Sequence, residues 1–194
     1  MLYHLKKRLR KQKLMDKDNV LVHSCCAICA GYPLEMLKES YSPIAYFCNP
    51  NLFPQSEFDK RLDAMKTLCS VNSTPLIVDE YDPLFYEEQM TDFKHHKEGS
   101  QRCTKCFEIR LRKTCEYAKS NNIQYFTTTL SISPHKNFDT IKLIGDSLAE
   151  EYGLTFLDFN FKKKDGFLKT TKIAKELNLY RQNYCGCKNS LPQV

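Results

Sequence analysis

The chain has 194 residues, with 29 Lys and Arg against 23 Asp and Glu for a formal charge of +6, and ten cysteines. That length suits one domain with a full-sized core. No apolar run approaches the roughly 20 residues that span a bilayer, and the N-terminus carries no apolar signal segment, so membrane and secreted classes are set aside and a cytoplasmic protein is expected.

Taken in order, residues 1–19 read as a basic extension carrying Lys6, Lys7, Arg8, Arg10, Lys11 and Lys13, and residues 20–194 as a single domain. Val20 to Ser24 is an apolar run that predicts a first strand, and it stops at two adjacent thiols, Cys25 and Cys26. Leu34 and Leu37 predict a helix over 32–40, with Pro33 near its start. Ile44 to Cys48 reads as a second strand. The turn residues of 49–54 make a loop, and Phe58, Leu62, Met65 and Leu68 share one face of the helix after it. Pro75 to Val78 is a short third strand, and 82–100 reads as a helix followed by a loop.

An amphipathic helix is predicted from Cys106 to Ala118, and a Thr- and aromatic-rich strand from Gln124 to Leu130. Asn137 then opens a helix that closes at Gly153, a suitable C-cap. Leu154 to Phe159 is the fifth strand. A basic loop with Lys162, Lys163 and Lys164 and a last helix from Thr170 to Leu177 complete the domain. Strands alternating with helices predict an α/β fold: a Rossmann-like three-layer sandwich on a mostly parallel sheet of about five strands, with a cysteine loop after the first. In such sheets ligands bind beyond the C-terminal strand ends, where Cys25, Cys26 and Cys29 stand.

Ten thiols in a reducing compartment are not a disulfide framework, which favours metal or redox chemistry. Cys103-x-x-Cys106 suits half a zinc site, half an iron–sulfur site or a dithiol. Adjacent Cys25 and Cys26 chelate one tetrahedral ion only with strain, whereas they reach different irons of one cluster. Four thiolates in two pairs therefore suit a 4Fe-4S cluster, with zinc the alternative metal. Cys29 either joins that site or is a small buried side chain, and Cys48, Cys69 and Cys115 read as core. Cys185-Gly186-Cys187 is a different pair, suited to a strained, easily reduced disulfide or to two further metal ligands. His23 reads as a strand residue with a satisfied ring.

Several segments together resemble the cobalamin-independent epoxyqueuosine reductases of the QueH type. They are Leu21-x-His23-x-Cys25-Cys26-Ala27, Asn49-Pro50-Asn51, Arg102-Cys103-x-x-Cys106-Phe107, Phe126-Thr-Thr-Thr-Leu130-x-x-Ser133-Pro134, Lys163-Lys164-Asp165-Gly166 and Tyr180-Arg181-Gln182-Asn183-Tyr184-Cys185-Gly186-Cys187. The resemblance implies an oxidoreductase for the last step of queuosine synthesis, removing the epoxide oxygen of epoxyqueuosine at the tRNA wobble position with two electrons from an unidentified donor. It implies a 4Fe-4S cluster on Cys25, Cys26, Cys103 and Cys106, a redox-active disulfide of Cys185 and Cys187, and an adjacent mononuclear iron, for which Cys29 is the nominated ligand. Arg102, Lys163 and Arg181 are expected to hold tRNA phosphates, and Tyr180 and Tyr184 to position the base.

Two positions depart from the family pattern: Ile28 stands where proline is usual, and Cys48 where an aromatic is common. A zinc-stabilised RNA-binding module without catalysis also explains the basic runs and the Cys-x-x-Cys, but leaves Cys185-Gly-Cys187 without a purpose. An ATP-dependent tRNA-modifying enzyme on the same sheet is a third reading. It needs a Ser-Gly-Gly-type loop after the first strand, which this chain lacks.

Overall fold

The computed structural model describes residues 17–191. The basic run at 6–13 and nearly all of the expected extension lie outside the described residues. Five parallel strands form one sheet in the order β3-β2-β1-β4-β5: β1 (Asn19–His23), β2 (Ser42–Phe47), β3 (Leu76–Val78), β4 (Tyr125–Thr128) and β5 (Thr155–Phe156). Six helices connect and cover them: α1 (Ala27–Leu37), α2 (Gln55–Val71), α3 (Pro83–Gln89), α4 (Gln101–Ser120), α5 (Phe138–Tyr152) and α6 (Gly166–Glu176). No helix among the described residues is long and apolar enough to cross a membrane.

Period-two alternation makes the three layers. Val20 and Val22 of β1 face a core with Phe47, Leu34, Leu37, Met65, Leu68 and Phe161, under α1 and α2. Leu21 faces the other core, with Phe126, Leu111, Cys115, Ile141 and Leu148, under α4 and α5. Both faces are covered, as a parallel sheet requires. The expected caps of α5 are in place: Asn137 Oδ1 accepts from the Thr140 N–H at 3.0 Å, and Gly153 ends the helix in the left-handed region at φ 66°.

Three helices begin earlier than their apolar spacing predicts: α1, α4 and α6, the last at Gly166 rather than Thr170. α1 starts at Ala27, directly after Cys26, because Ala27, Ile28 and Ala30 are buried against the sheet. Pro33 therefore sits inside the helix. Thr170 of α6 mends the ladder one step before it: its hydroxyl donates to the Ile28 carbonyl and accepts from the Tyr32 N–H at 3.3 Å. α4 starts at Gln101, so Cys103 and Cys106 lie a turn apart near its N-terminus. The fifth strand, expected over 154–159, pairs only at Thr155 and Phe156.

Candidate active site

The strand order reverses direction beside β1: the chain leaves β1 toward β2 and β3 on one side, and β4 and β5 lie on the other. This is the switch point at which open α/β sheets form a crevice. The loop after β1 carries Cys25 and the turn after β4 carries Thr129. The two meet there, with the Cys25 N–H donating to Thr129 Oγ1 at 3.3 Å and the Cys25 thiol 3.7 Å from the same hydroxyl.

Cys25, Cys26 and Cys29 bring their sulfurs within 4.8 Å of one another, with Cys25 and Cys26 at 3.8 Å. Three thiols this close cannot all ionise readily, since each further thiolate meets the charge of the first. Bonds from Cys26 and Cys29, aided by the charges of Lys136 and Arg110, hold Cys25 well below the ordinary thiol value. The same bonding to Cys25 pushes Cys26 up to about 11 and Cys29 well above its usual range. Three sulfur donors this close, with Cys25 the one favoured as thiolate, suit a soft-metal site.

This sulfur group opens into a cavity of about 740 Å³ whose wall includes Cys25, Cys29, Cys103, Arg110, Lys136 and Cys185. That volume suits a ligand of nucleoside size. A smaller cavity of about 240 Å³ lies by the tail, with Asn51, Tyr86, Arg102 and Cys187 on its wall. The tail is fixed by α2. Arg61 bonds Glu57 at 2.7 Å with both side chains buried, and donates to the carbonyls of Tyr184 at 3.1 Å and Cys185 at 3.0 Å. The Tyr180 hydroxyl donates to Glu57 at 2.7 Å.

A sequence profile of the family described as "QueH: Epoxyqueuosine reductase QueH" matches residues 20–193. The chain belongs to the QueH family. Relatives bearing the name Epoxyqueuosine reductase QueH include that of Streptococcus pyogenes serotype M1, 34% identical over 91% of this chain and 71% of the relative. That of Thermotoga maritima is 35% identical over 89% of this chain and 90% of the relative, and that of Acinetobacter baylyi 35% over 93% and 84%. Among solved structures, the U34-tRNA thiolase NcsA from Methanococcus maripaludis with its [4Fe-4S] cluster has the same kind of fold. Its TM-score is 0.56 at 14% identity, covering 98% of this chain and 68% of that one.

Within this QueH-family chain, the residues singled out from the sequence are only partly brought together. Cys25, Cys26 and the less favoured Cys29 form the compact sulfur group, while Cys103 and Cys106 stand outside it. Cys103 shares the large cavity and accepts from the Gly99 N–H at 3.1 Å. Cys106 is buried beside Tyr86, Met90 and Ile109, and burial raises its thiol. Of the four expected cluster ligands, Cys25 and Cys103 line the large cavity together with Cys29 and Cys185, while Cys26 and Cys106 are not on its wall.

Cys185 and Cys187 are free thiols, so the disulfide expected between them is absent from this structure. The Cys187 thiol donates to Ser190 at 3.4 Å, while Cys185 lines the large cavity, where burial pushes it up to about 11.

Arg181 and Tyr184 line the large cavity. Arg102 is buried on the wall of the smaller one, Lys163 is exposed on a turn after β5, and the Tyr180 and Tyr184 hydroxyls serve as anchors to Glu57 and the Phe53 carbonyl. His23 is the satisfied strand residue expected: its Nε2–H donates to the Cys48 carbonyl at 3.2 Å and its Nδ1 accepts from Thr128 at 2.8 Å. Burial and the nearby Arg110 charge hold its pKa down at about 3, so the ring is neutral. Sequence reasoning missed Glu57, Arg61, Arg110, Lys136 and Gln182, whose amide donates to the Cys26 thiol at 2.9 Å. Only the Glu57–Arg61 spacing of four carried a signal, and that spacing also marks ordinary solvent-facing pairs.

Proposed function

We propose that this protein is the epoxyqueuosine reductase that removes the epoxide oxygen from epoxyqueuosine in tRNA, the last step of queuosine formation. QueH-family membership over residues 20–193 carries the reading, and the thiol-lined cavity at the switch point supports it. A 4Fe-4S cluster held by Cys25, Cys26, Cys103 and Cys106, with an adjacent iron at Cys29, would supply single-electron transfer and a Lewis acid for the leaving oxygen.

The net reaction requires two electrons and two protons: an epoxide gives an alkene and water. Oxidation of two thiols to a disulfide releases two electrons and two protons, so the Cys185/Cys187 pair balances one turnover, and an external reductant restores it. Cys185 stands on the cavity wall where the substrate would sit. Arg181 on the same wall is suited to a phosphate, and the ring of Tyr184 to the face of a base. Arg102 and Lys163 lie away from that wall.

The test is the iron, zinc and acid-labile sulfide content of anaerobically purified protein, with electron paramagnetic resonance after dithionite reduction and an assay on epoxyqueuosine-containing tRNA. Iron and sulfide that are lost in Cys103→Ala, together with turnover, are the expected result. Stoichiometric zinc without sulfide after anaerobic reconstitution, and no turnover, would overturn the reading in favour of an RNA-binding module.

A further inference from the structure

Arg110 is 2% exposed and Lys136 stands on the same cavity wall, yet among the described residues neither makes an ion pair with a carboxylate. A buried cation without an anion is strongly unfavourable, so something else must balance Arg110, and half-buried Lys136 adds a second positive charge beside it. The Arg110 guanidinium gives one bond to Asn49, from Nη2 to Oδ1 at 2.6 Å. Its Nε–H is fully buried and has no partner. Asn49 is itself held by the carbonyl of Ser24 at 3.0 Å, the residue before Cys25. One short chain of bonds therefore ties the guanidinium to the thiol loop and leaves a donor over.

The neighbours that favour the charge of Arg110 are Cys106, Cys25, Cys185 and Cys48, and those that favour Lys136 are Cys185, Cys25 and Cys29. Cys25, Cys29, Cys103 and Cys185 line the same cavity wall as both cations, so thiolate sulfur, once a metal has displaced its protons, is the counter-charge within reach. A 4Fe-4S core of charge +2 on four thiolates carries −2, which two cations neutralise, and its reduced form carries one negative charge more.

We propose that Arg110, assisted by Lys136, is the positioning cation of the metal–thiolate centre, stabilising its reduced form and so raising its reduction potential. The inference rests on the cluster reading above. In a buried, low-dielectric site the attraction of a fixed cation for the added electron is large, and the anchoring of Arg110 through Asn49 means that its charge need not reorganise on electron transfer.

The experiment is a redox titration of anaerobically reconstituted wild-type, Arg110→Gln, Arg110→Lys and Lys136→Gln proteins, followed by electron paramagnetic resonance, with iron and sulfide content and thermal melting of each. A lower midpoint potential in Arg110→Gln, little change in Arg110→Lys and a smaller drop in Lys136→Gln are expected. An unchanged potential in loaded Arg110→Gln overturns the proposal. If Arg110→Gln fails to load while Arg110→Lys loads, the requirement is for charge, which upholds it. If both fail to load, the requirement is for the guanidinium's shape, which overturns it. Absence of iron and sulfide from the wild type would overturn the cluster reading itself, an outcome distinct from all of these.

Discussion

Arg61 of α2 holds the backbone of Cys185 by donating to its carbonyl at 3.0 Å. The same guanidinium takes Tyr184 O at 3.1 Å and Glu57 at 2.7 Å, so one side chain fixes the tail against α2. Arg61→Ala leaves Glu57 buried and unpaired, an effect of about 3–5 kcal/mol. Arg61→Met combined with Glu57→Gln removes the buried charge as well. The double variant should recover much of that stability by urea unfolding while turnover stays low, because the carbonyls of the tail are still without donors. Recovery of full turnover would show that the tail does not depend on Arg61 for its position.

Gly186 has φ +117°, and a Cβ there would fall 2.4 Å from Leu52 Cδ2 and 2.9 Å from Arg61 Nη1. Its carbonyl accepts from the Phe53 N–H at 2.8 Å, so the backbone cannot move off without losing that bond. Gly186→Ala combines strain of about 1–3 kcal/mol with a clash, and the cheapest relief is release of the tail. Limited proteolysis should then cut near residues 180–187 at a rate well above wild type, with little change in melting of the core. Equal protection in the two proteins would mean that the tail absorbs the methyl group.

Cys187 lies off the large cavity and Cys185 on it. Cys187→Ser keeps every proposed metal ligand but removes one half of the two-electron pair. Turnover should fall to background while the absorption and paramagnetic spectra of the reconstituted centre match wild type. Full activity in this variant would remove the thiol pair from the reaction.

Asp79 gives an acid-limb prediction. Its Oδ2 accepts from Lys113 at 2.8 Å and from the Cys48 thiol at 3.2 Å. Burial works to raise its pKa, but the bonds from Lys113, Tyr46 and Cys48 outweigh burial and hold it below the usual value. A carboxylate lowered in this way contributes stability that is fully present above its unfolded pKa of about 3.9. That stability is lost as pH falls through the folded value. Asp79→Asn should be less stable than wild type by about 1.5–3 kcal/mol at neutral pH, and the gap should narrow as pH drops below about 4. A gap independent of pH would place the effect in packing rather than charge.

How far the sequence could be read depends on whether a residue's role is local. Asn137 and Gly153 cap a helix by chemistry within a few residues, and both were legible. So was β1 running into Cys25, because period, length and chain order locate a strand end. The uninterrupted run of α1 through Pro33 was not, because Ala27, Ile28 and Ala30 are helical through burial against the sheet, and Thr170, far along the chain, completes the ladder beside Pro33. The charged residues were harder still. Arg61, Arg110 and Lys136 have the composition of a solvated face, and only the folded chain shows that they point at the tail and at the thiols. Lys163 is the converse: it lies in a matched segment but on an exposed turn, away from the cavity.

Cys29 provides a test of how the sulfurs divide between metals. Its thiol lies within 4.8 Å of both Cys25 and Cys26, it lines the large cavity, and it follows those two along the first turn of α1. Cys103 faces the same cavity from α4. If Cys25, Cys26, Cys103 and Cys106 hold the cluster and Cys29 a separate iron, Cys29→Ser should lose iron while keeping its acid-labile sulfide, and Cys103→Ala should lose both. Serine keeps the size and hydrogen-bonding capacity of the side chain, so the helix should melt as in wild type. Parallel loss of iron and sulfide in Cys29→Ser would instead make Cys29 a cluster ligand and require one of the other four to be released from that role. Measuring iron and sulfide on the same anaerobic samples decides between the two assignments.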